Sequence, residues 1–174
     1  MRRDRSLRLE IALDLIVPDN TAYTVLVALR DLGYDGLARV ERSHIFSLDV
    51  QDGTSEREVI DRIARAEVLF NPNKHRLSYA LEPLRPTAGN GAPRWEALVT
   101  DTEDDTRSLV ALLAGPFHVH GLRALARGIA WRLSETDGPA PQSRVEWACR
   151  TLLANPVSQR YEVRPLPARK ENTQ

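Results

Sequence analysis

The beginning of the chain alternates between apolar and polar side chains with a period of two. Every second residue from Leu7 to Leu15 is leucine or isoleucine, which indicates a strand with one buried face. The residues between them include Glu10, and we expect this outer face to meet water in part. The spacing becomes helical after Asp19, which is placed to cap a helix, and Gly33 marks the end of that helix.

Two shorter strands are predicted next, at 37–41 and 45–50. The residues between them, Arg42, Ser43 and His44, are polar. We interpret them as the turn of a hairpin, although they lack the Asn-Gly signature of the tightest turns. This stretch is therefore expected to contribute an antiparallel pair of strands.

A second helix and a fourth strand complete the unit. Ser55 and Glu58 have the spacing of a capping box. Asn71 and Pro72 end the helix, because the residue before a proline is pushed out of helical geometry. Alternation at 77–81 predicts a strand, so the order of elements is strand, helix, strand, strand, helix, strand.

The same order recurs after a stretch rich in proline and glycine at 82–93, whose composition is typical of a linker. An Asn-Pro corner returns 84 positions after the first one, at Asn155 and Pro156. A second strand hairpin is expected around Arg127 and Gly128. This internal repetition predicts that the chain is one unit written twice.

These elements predict an α+β fold made of two tandem βαββαβ units of the ferredoxin-like type. Each unit should form a four-stranded antiparallel sheet with both helices on one face. The predicted divisions are unit 1 at 1–81, the linker at 82–93 and unit 2 at 94–174, with a disordered tail from about residue 167. We expect the two units to pair as a pseudo-symmetric intramolecular dimer, through sheet edges or faces.

Charge and composition narrow the class of function. Lysine and arginine number 24 and so do aspartate and glutamate, so no net field favours nucleic acid or an anionic membrane. RNA binding on the sheet is disfavoured because the aromatic residues Phe46 and Trp131 share a face with core leucines. Without an apolar run of membrane-spanning length or a signal-peptide core, we expect a cytoplasmic protein.

Few residues suggest chemistry of their own. Cys149, the single cysteine, lies on the apolar face of a predicted helix and is interpreted as a core residue. His118 and His120 could approach a metal ion from one side of an extended segment, and so could the acidic cluster at 101–105, but each also fits a solvated loop or helix start. We therefore expect no catalytic, cofactor-binding or metal-binding residues in this chain.

Four stretches resemble a known family. The sequences at 152–157 and 161–163 (LLANPV and YEV) resemble the C-terminal corner of PurS, the small subunit of bacterial and archaeal phosphoribosylformylglycinamidine synthase. The stretches at 18–20 and 28–34 resemble the start and the end of the first PurS helix. The resemblance covers both repeats, as two fused PurS-like units. The residues that carry this family signature are Asp19, Gly33, Asn71, Pro72, Asn155 and Pro156.

The resemblance implies a non-catalytic role in de novo purine (IMP) biosynthesis. PurS bridges the glutaminase and synthetase subunits and supports ammonia transfer, while the complex uses ATP, magnesium and glutamine. The hairpins depart from the family pattern of an Arg-x-Gly-Lys turn, because its glycine and lysine positions hold Ser43 and His44 in one copy and Gly128 and Ile129 in the other. If these turns contact a partner, that contact has changed. Candidate partner-contacting residues are Arg42, Ser43, His44, Arg127 and Gly128.

A ligand-sensing module remains open as an alternative. Tandem ACT-type domains share this order of elements and bind amino acids or nucleotides at the junction between repeats. Such sites usually need a glycine in the first loop, whereas residues 18–21 contain none. Calorimetry against those ligands separates the two hypotheses.

Overall fold

A computed structural model describes residues 6–88 and 94–172, and within these ranges eight strands form one antiparallel sheet. The strands are β1 (Ser6–Leu15), β2 (Leu37–Gln51), β3 (His75–Leu81), β4 (Trp95–Asp101), β5 (Leu122–Glu135), β6 (Gly138–Pro139), β7 (Gln159–Pro165) and β8 (Lys170–Glu171). The helices are α1 (Asn20–Asp31), α2 (Glu56–Ala66), α3 (Arg107–Ala114) and α4 (Gln142–Ala148), and α4 continues as a π-helix over Cys149–Leu153. The α+β class is confirmed. No helix in the described ranges is long and apolar enough to cross a membrane.

Both predicted hairpins are wrong, because β2 and β5 each run through the expected turn as a single long strand. The two strands pair with each other almost from end to end, from Leu37 opposite Glu135 to Val50 opposite Leu122. A turn at 42–44 would remove ladder hydrogen bonds from the middle of this pairing. Each half therefore supplies three long strands instead of the four predicted.

The strand order is β7-β4-β5-β2-β1-β3-β8, with β6 paired to β5. Exchanging the halves, so that β1 replaces β4, β2 replaces β5 and β3 replaces β7, gives the same order over the six long strands. The centre of this arrangement is the pair His44 and Ile129, which stand opposite each other and 85 positions apart. The two halves therefore meet edge to edge, through β2 and β5.

Two hydrophobic cores lie under the helices, and each contains residues from both halves. The first core packs α2 and Leu113 of α3 against β1 and β2. The second packs Ala22 and Leu29 of α1 with α4, β4 and β5. Strand pairing places both cores on the same face, because Phe46 stands opposite Arg127, which shares a face with Trp131. The predicted units therefore do not have separate cores.

The sheet is strongly curled, with its concave face turned away from the helices. Neighbouring strands lie about 4.8 Å apart, so a flat sheet would separate β1 from β7, four positions along, by about 19 Å. In the protein, Nη2 of Arg164 on β7 lies 2.8 Å from Oε1 of Glu10 on β1. Both side chains project from the face opposite the two cores, so this face must close on itself.

The prediction of a disordered tail from about residue 167 is wrong for residues up to 172. Residues 166–172 form a strap that leaves β7 and adds β8 to the far edge of the sheet, on β3. The strap is fixed to the predicted linker, since Thr87 N–H donates to Leu166 O (2.8 Å) and Ala168 N–H donates to Arg85 O (2.7 Å). The rest of that linker, residues 89–93, lies outside the described ranges.

Helix ends follow the sequence signals in part. Asp19 caps α1 by accepting from the amides of Thr21 and Ala22 (3.0 and 3.1 Å), and Gly33 has φ 103°, as a left-handed helix end requires. The predicted end of α2 at Asn71 is wrong. The helix stops at Ala66, because Glu67 adopts a left-handed conformation with φ 53°.

Candidate functional site

A buried cluster of opposite charges occupies the concave face. Glu10 of β1 and Glu96 of β4 are 2% and 0% exposed. Arg164 binds both carboxylates through one terminal nitrogen, at 2.8 Å from Glu10 and 2.7 Å from Glu96. Arg169 of the strap does the same at 2.6 and 3.0 Å. Four side chains therefore tie together β1, β4, β7 and the strap.

The cluster continues toward the centre of the sheet through Arg132 of β5. Its guanidinium donates to Ser43 Oγ (2.8 Å) and lies 3.3 Å from an oxygen of Asp14, to which Ser43 itself donates. Three guanidiniums thus face three carboxylates, and their charges cancel. The sequence predicted that the face carrying Glu10 meets water in part. In the structure, Glu10 is almost fully buried.

Both buried arginines of this cluster keep their charge. Burial lowers the pKa of Arg164, but Glu10 and Glu96 outweigh it and raise the pKa above its ordinary value. The pKa of Arg169 is raised for the same reason. The carboxylates accept several charge-assisted hydrogen bonds. The cluster is suited to holding the curled sheet together.

A cleft of about 1210 Å³ lies beside this cluster, between strands of both halves. Arg132, Arg169, Asp14 and Ser43 line it as members of the cluster. Other charged or hydroxyl-bearing residues of its lining lie on the same side of the sheet or in the strap, and they include Arg39, Glu41, Arg76, Ser78, Arg94, Ser134 and Glu171. Its volume is large enough for a small organic molecule.

Two matched ion pairs join helix starts to the central strands. Arg42 of β2 binds Asp19 at 2.6 Å, and Arg127 of β5 binds Asp104 at 3.1 Å, with the same separation along the chain. Burial raises the pKa of Asp19, but the hydrogen bond and charge of Arg42 and the amides of Ala22 and Thr21 lower it by more. The pKa of Asp19 is therefore below its ordinary value. The two arginines that we predicted to contact a partner are therefore engaged within the chain.

The remaining predicted contact residues do not form one surface with these arginines. Ser43 and Gly128 project toward the concave face, and Ser43 is 1% exposed. A side chain at Gly128 would lie 2.9 Å from Leu98 and from the carbonyl oxygen of Val99. His44 is half-buried on the helix side, and burial, followed by the charges of Arg42 and His75, lowers its pKa. Contact with a partner at these five positions stays a prediction.

The two Asn-Pro corners have the same hydrogen bonds. In the first, Asn71 Oδ1 accepts from the amide of Asn73 (2.9 Å) and the amide of Asn71 donates to the side chain of His75 (3.1 Å). In the second, Asn155 Oδ1 accepts from the amide of Val157 (2.9 Å), and its own amide donates to the side chain of Gln159 (2.9 Å). The shared signature is therefore a turn that directs the chain into β3 and β7.

Other candidates have local explanations. Cys149 is fully buried in the second core, and burial raises the pKa of its thiol to about 12. The rings of His118 and His120 are 5.9 Å apart. In the acidic cluster, Asp105 forms an ion pair with Arg107. Across residues 6–88 and 94–172, no group of three or more side chains is arranged to hold a metal ion.

The buried charges were not predicted from the sequence, although a repeated glutamate gives one signal of them. Glu10 and Glu96 occupy corresponding positions in β1 and β4, opposite Ser47 and Arg132, which are themselves 85 positions apart. A carboxylate repeated within an apolar strand in both halves indicates a shared structural partner. That partner, the strap arginine, lies about 160 residues from Glu10, and no local pattern predicts such a contact.

Comparison with family models finds no match to this sequence, and comparison with curated proteins finds no significant match.

Proposed function

We propose that this chain is a non-catalytic, PurS-like subunit of phosphoribosylformylglycinamidine synthase, with two fused units acting as a pseudo-dimer. It bridges the glutaminase and synthetase subunits and supports ammonia transfer in de novo purine biosynthesis. The observation that carries the proposal is the recurrence of the PurS-like corner, with its Leu-Leu-Ala-Asn-Pro sequence at 152–156 and a related sequence at 68–72.

The arrangement of the halves supports this proposal. The order of the six long strands is unchanged when the halves are exchanged, and each core takes a helix from either half. Two separate protomers would lose association entropy on forming such a structure, whereas a covalent pair has a high effective concentration of one half for the other. A fused pair also presents two related sides to two different subunits.

Affinity purification from the native host tests the proposed partners. The tagged chain should retain both a glutaminase and a synthetase subunit, identified by mass spectrometry, when ATP, magnesium and glutamine are present. A tagged unrelated protein of similar size serves as the control. Recovery of the chain without either subunit would contradict the bridging role.

A ligand-sensing module is the second candidate, and the cleft is the observation that favours it. The cleft is lined by both halves, where a tandem sensor binds its ligand. Calorimetry against amino acids and nucleotides tests this role. Saturable binding of one of them, together with intact synthase activity in the absence of the chain, would favour sensing over assembly.

A further inference from the structure

Two guanidinium groups that line the cleft have no partner within the described residues. Arg42 is paired with Asp19 and Arg39 with Glu41, and Glu135 accepts from the hydroxyl of Tyr34. The buried cluster is also neutral, so the other arginines of the lining are paired within the chain. Tyr34 is neutral and does not balance the charge of Glu135.

Arg76 and Arg94 are different. Both are exposed, and among the described residues neither has a hydrogen-bonding or ion-pair partner for its guanidinium. Arg76 stands opposite Asp14 across the β1–β3 pair, but Asp14 already binds Arg132 and Ser43. The remaining carboxylates of this lining are Glu135 and Glu171. Neither forms an ion pair with Arg76 or Arg94 in the described part of the chain, so the donors of both guanidiniums are available to a ligand.

Arg169 provides a second, independent observation. Its side chain is only 9% exposed, and its terminal nitrogens bind Glu10 and Glu96. Its Nε is buried without a hydrogen-bond partner in the described part of the chain. A buried, unsatisfied donor on a charged group is costly, and an acceptor supplied from the cleft would relieve that cost.

We propose that this cleft binds a small organic molecule through a phosphate monoester group held by Arg76 and Arg94, beside Arg132 and Arg169. A phosphate monoester is a dianion whose oxygens accept paired hydrogen bonds from planar guanidiniums. The cleft volume of about 1210 Å³ leaves room for the organic part of the ligand. This binding depends neither on the synthase role nor on the ACT-type alternative.

The test uses the full-length protein and glycerol 3-phosphate as the probe, with malonate as a dicarboxylate for comparison. Calorimetry and thermal shift should detect binding of glycerol 3-phosphate to the wild-type protein. The double variant Arg76→Ala/Arg94→Ala should bind it at least about tenfold more weakly, because two charge-assisted contacts are lost. Both arginines are exposed, so the variant should keep the wild-type melting temperature when no probe is added.

The control is Arg57→Ala/Arg65→Ala, which removes two exposed arginines of α2 that do not line the cleft. It should bind the probe as the wild-type protein does. The proposal is overturned if the wild-type protein shows no binding at millimolar probe, if the cleft variant binds equally well, or if malonate binds as tightly as glycerol 3-phosphate. Each of these results leaves the assembly role intact, because that role needs no ligand in the cleft.

Discussion

Asn71 and Asn155 show how a single residue type determines a corner. In each corner the asparagine side chain accepts from the amide two residues ahead, at 2.9 Å in both copies. This turn gives the backbone an alternative to continuing the helix, and the following proline prevents the helix from resuming. The repeated Asn-Pro sequence at these positions is thus explained by local structure.

We predict that Asn71→Ala lowers the free energy of unfolding by about 1 kcal/mol, since one side-chain acceptor for a turn amide is lost. Urea denaturation measures this change. The matched control is Asn73→Ala in the same turn, where the backbone amide is used. Asn73→Ala should change the stability little, and an equal loss in both variants would contradict this explanation of the corner.

The long strands β2 and β5 show where local sequence patterns predict an element correctly and where they do not. The positions of β1, β3 and β4 follow from the alternation of apolar and polar residues in the sequence. The polar run at 42–44 suggested a turn, but Val40, Phe46 and Leu48 keep one phase of alternation through it. A continuous phase is typical of one unbroken strand. The polar residues there bind Asp19 and Asp14, which lie outside any local window.

The Asp19–Arg42 pair joins α1 to β2, and its contribution should depend on pH. Asp19→Asn keeps a capping acceptor but removes the charge that Arg42 binds. We expect the variant to lose about 1 kcal/mol of unfolding free energy at pH 7, since the pair is largely buried. The folded pKa of Asp19 lies below its ordinary value of 3.8. The stabilisation is therefore present above that value and is lost as the pH falls through the lower, folded pKa.

Urea denaturation between pH 7 and pH 3 checks this prediction. The wild-type protein and Asp19→Asn should differ at neutral pH and converge as the solution becomes more acidic than the ordinary aspartate pKa. Asp105→Asn is the control, because Asp105 also pairs with an arginine but is mostly exposed. A difference between wild type and Asp19→Asn that is constant over the whole range would contradict the ion-pair explanation.

At the scale of the whole molecule, the fold could be predicted only as far as its class. Local patterns indicated the helices, most strands and the repeat. They contained no information on which half each helix packs against, so two separate units were expected where the cores are shared. The strap was also beyond prediction, because its short, charged sequence has no apolar periodicity and its order depends on contacts with Glu10 and Glu96.

Replacing one carboxylate of the buried charge cluster should lower the free energy of unfolding strongly. Glu96→Gln keeps the shape of the side chain but leaves Arg164 and Arg169 with one carboxylate between them. We expect a loss of about 3 kcal/mol or more in unfolding free energy, since a buried charge loses its partner. The control is Glu162→Gln, an exposed glutamate of β7. Urea denaturation that finds equal stability for Glu96→Gln and the wild-type protein would show that the cluster does not hold the sheet closed.

The assembly role is tested most directly by the synthase reaction itself, assembled from the glutaminase and synthetase subunits of the same host. Product formation is measured with glutamine and, separately, with ammonium chloride as the nitrogen source, each with and without this chain. We predict that the glutamine-dependent rate requires the chain and that the ammonia-dependent rate does not. Undiminished glutamine-dependent activity in its absence would contradict the proposed function.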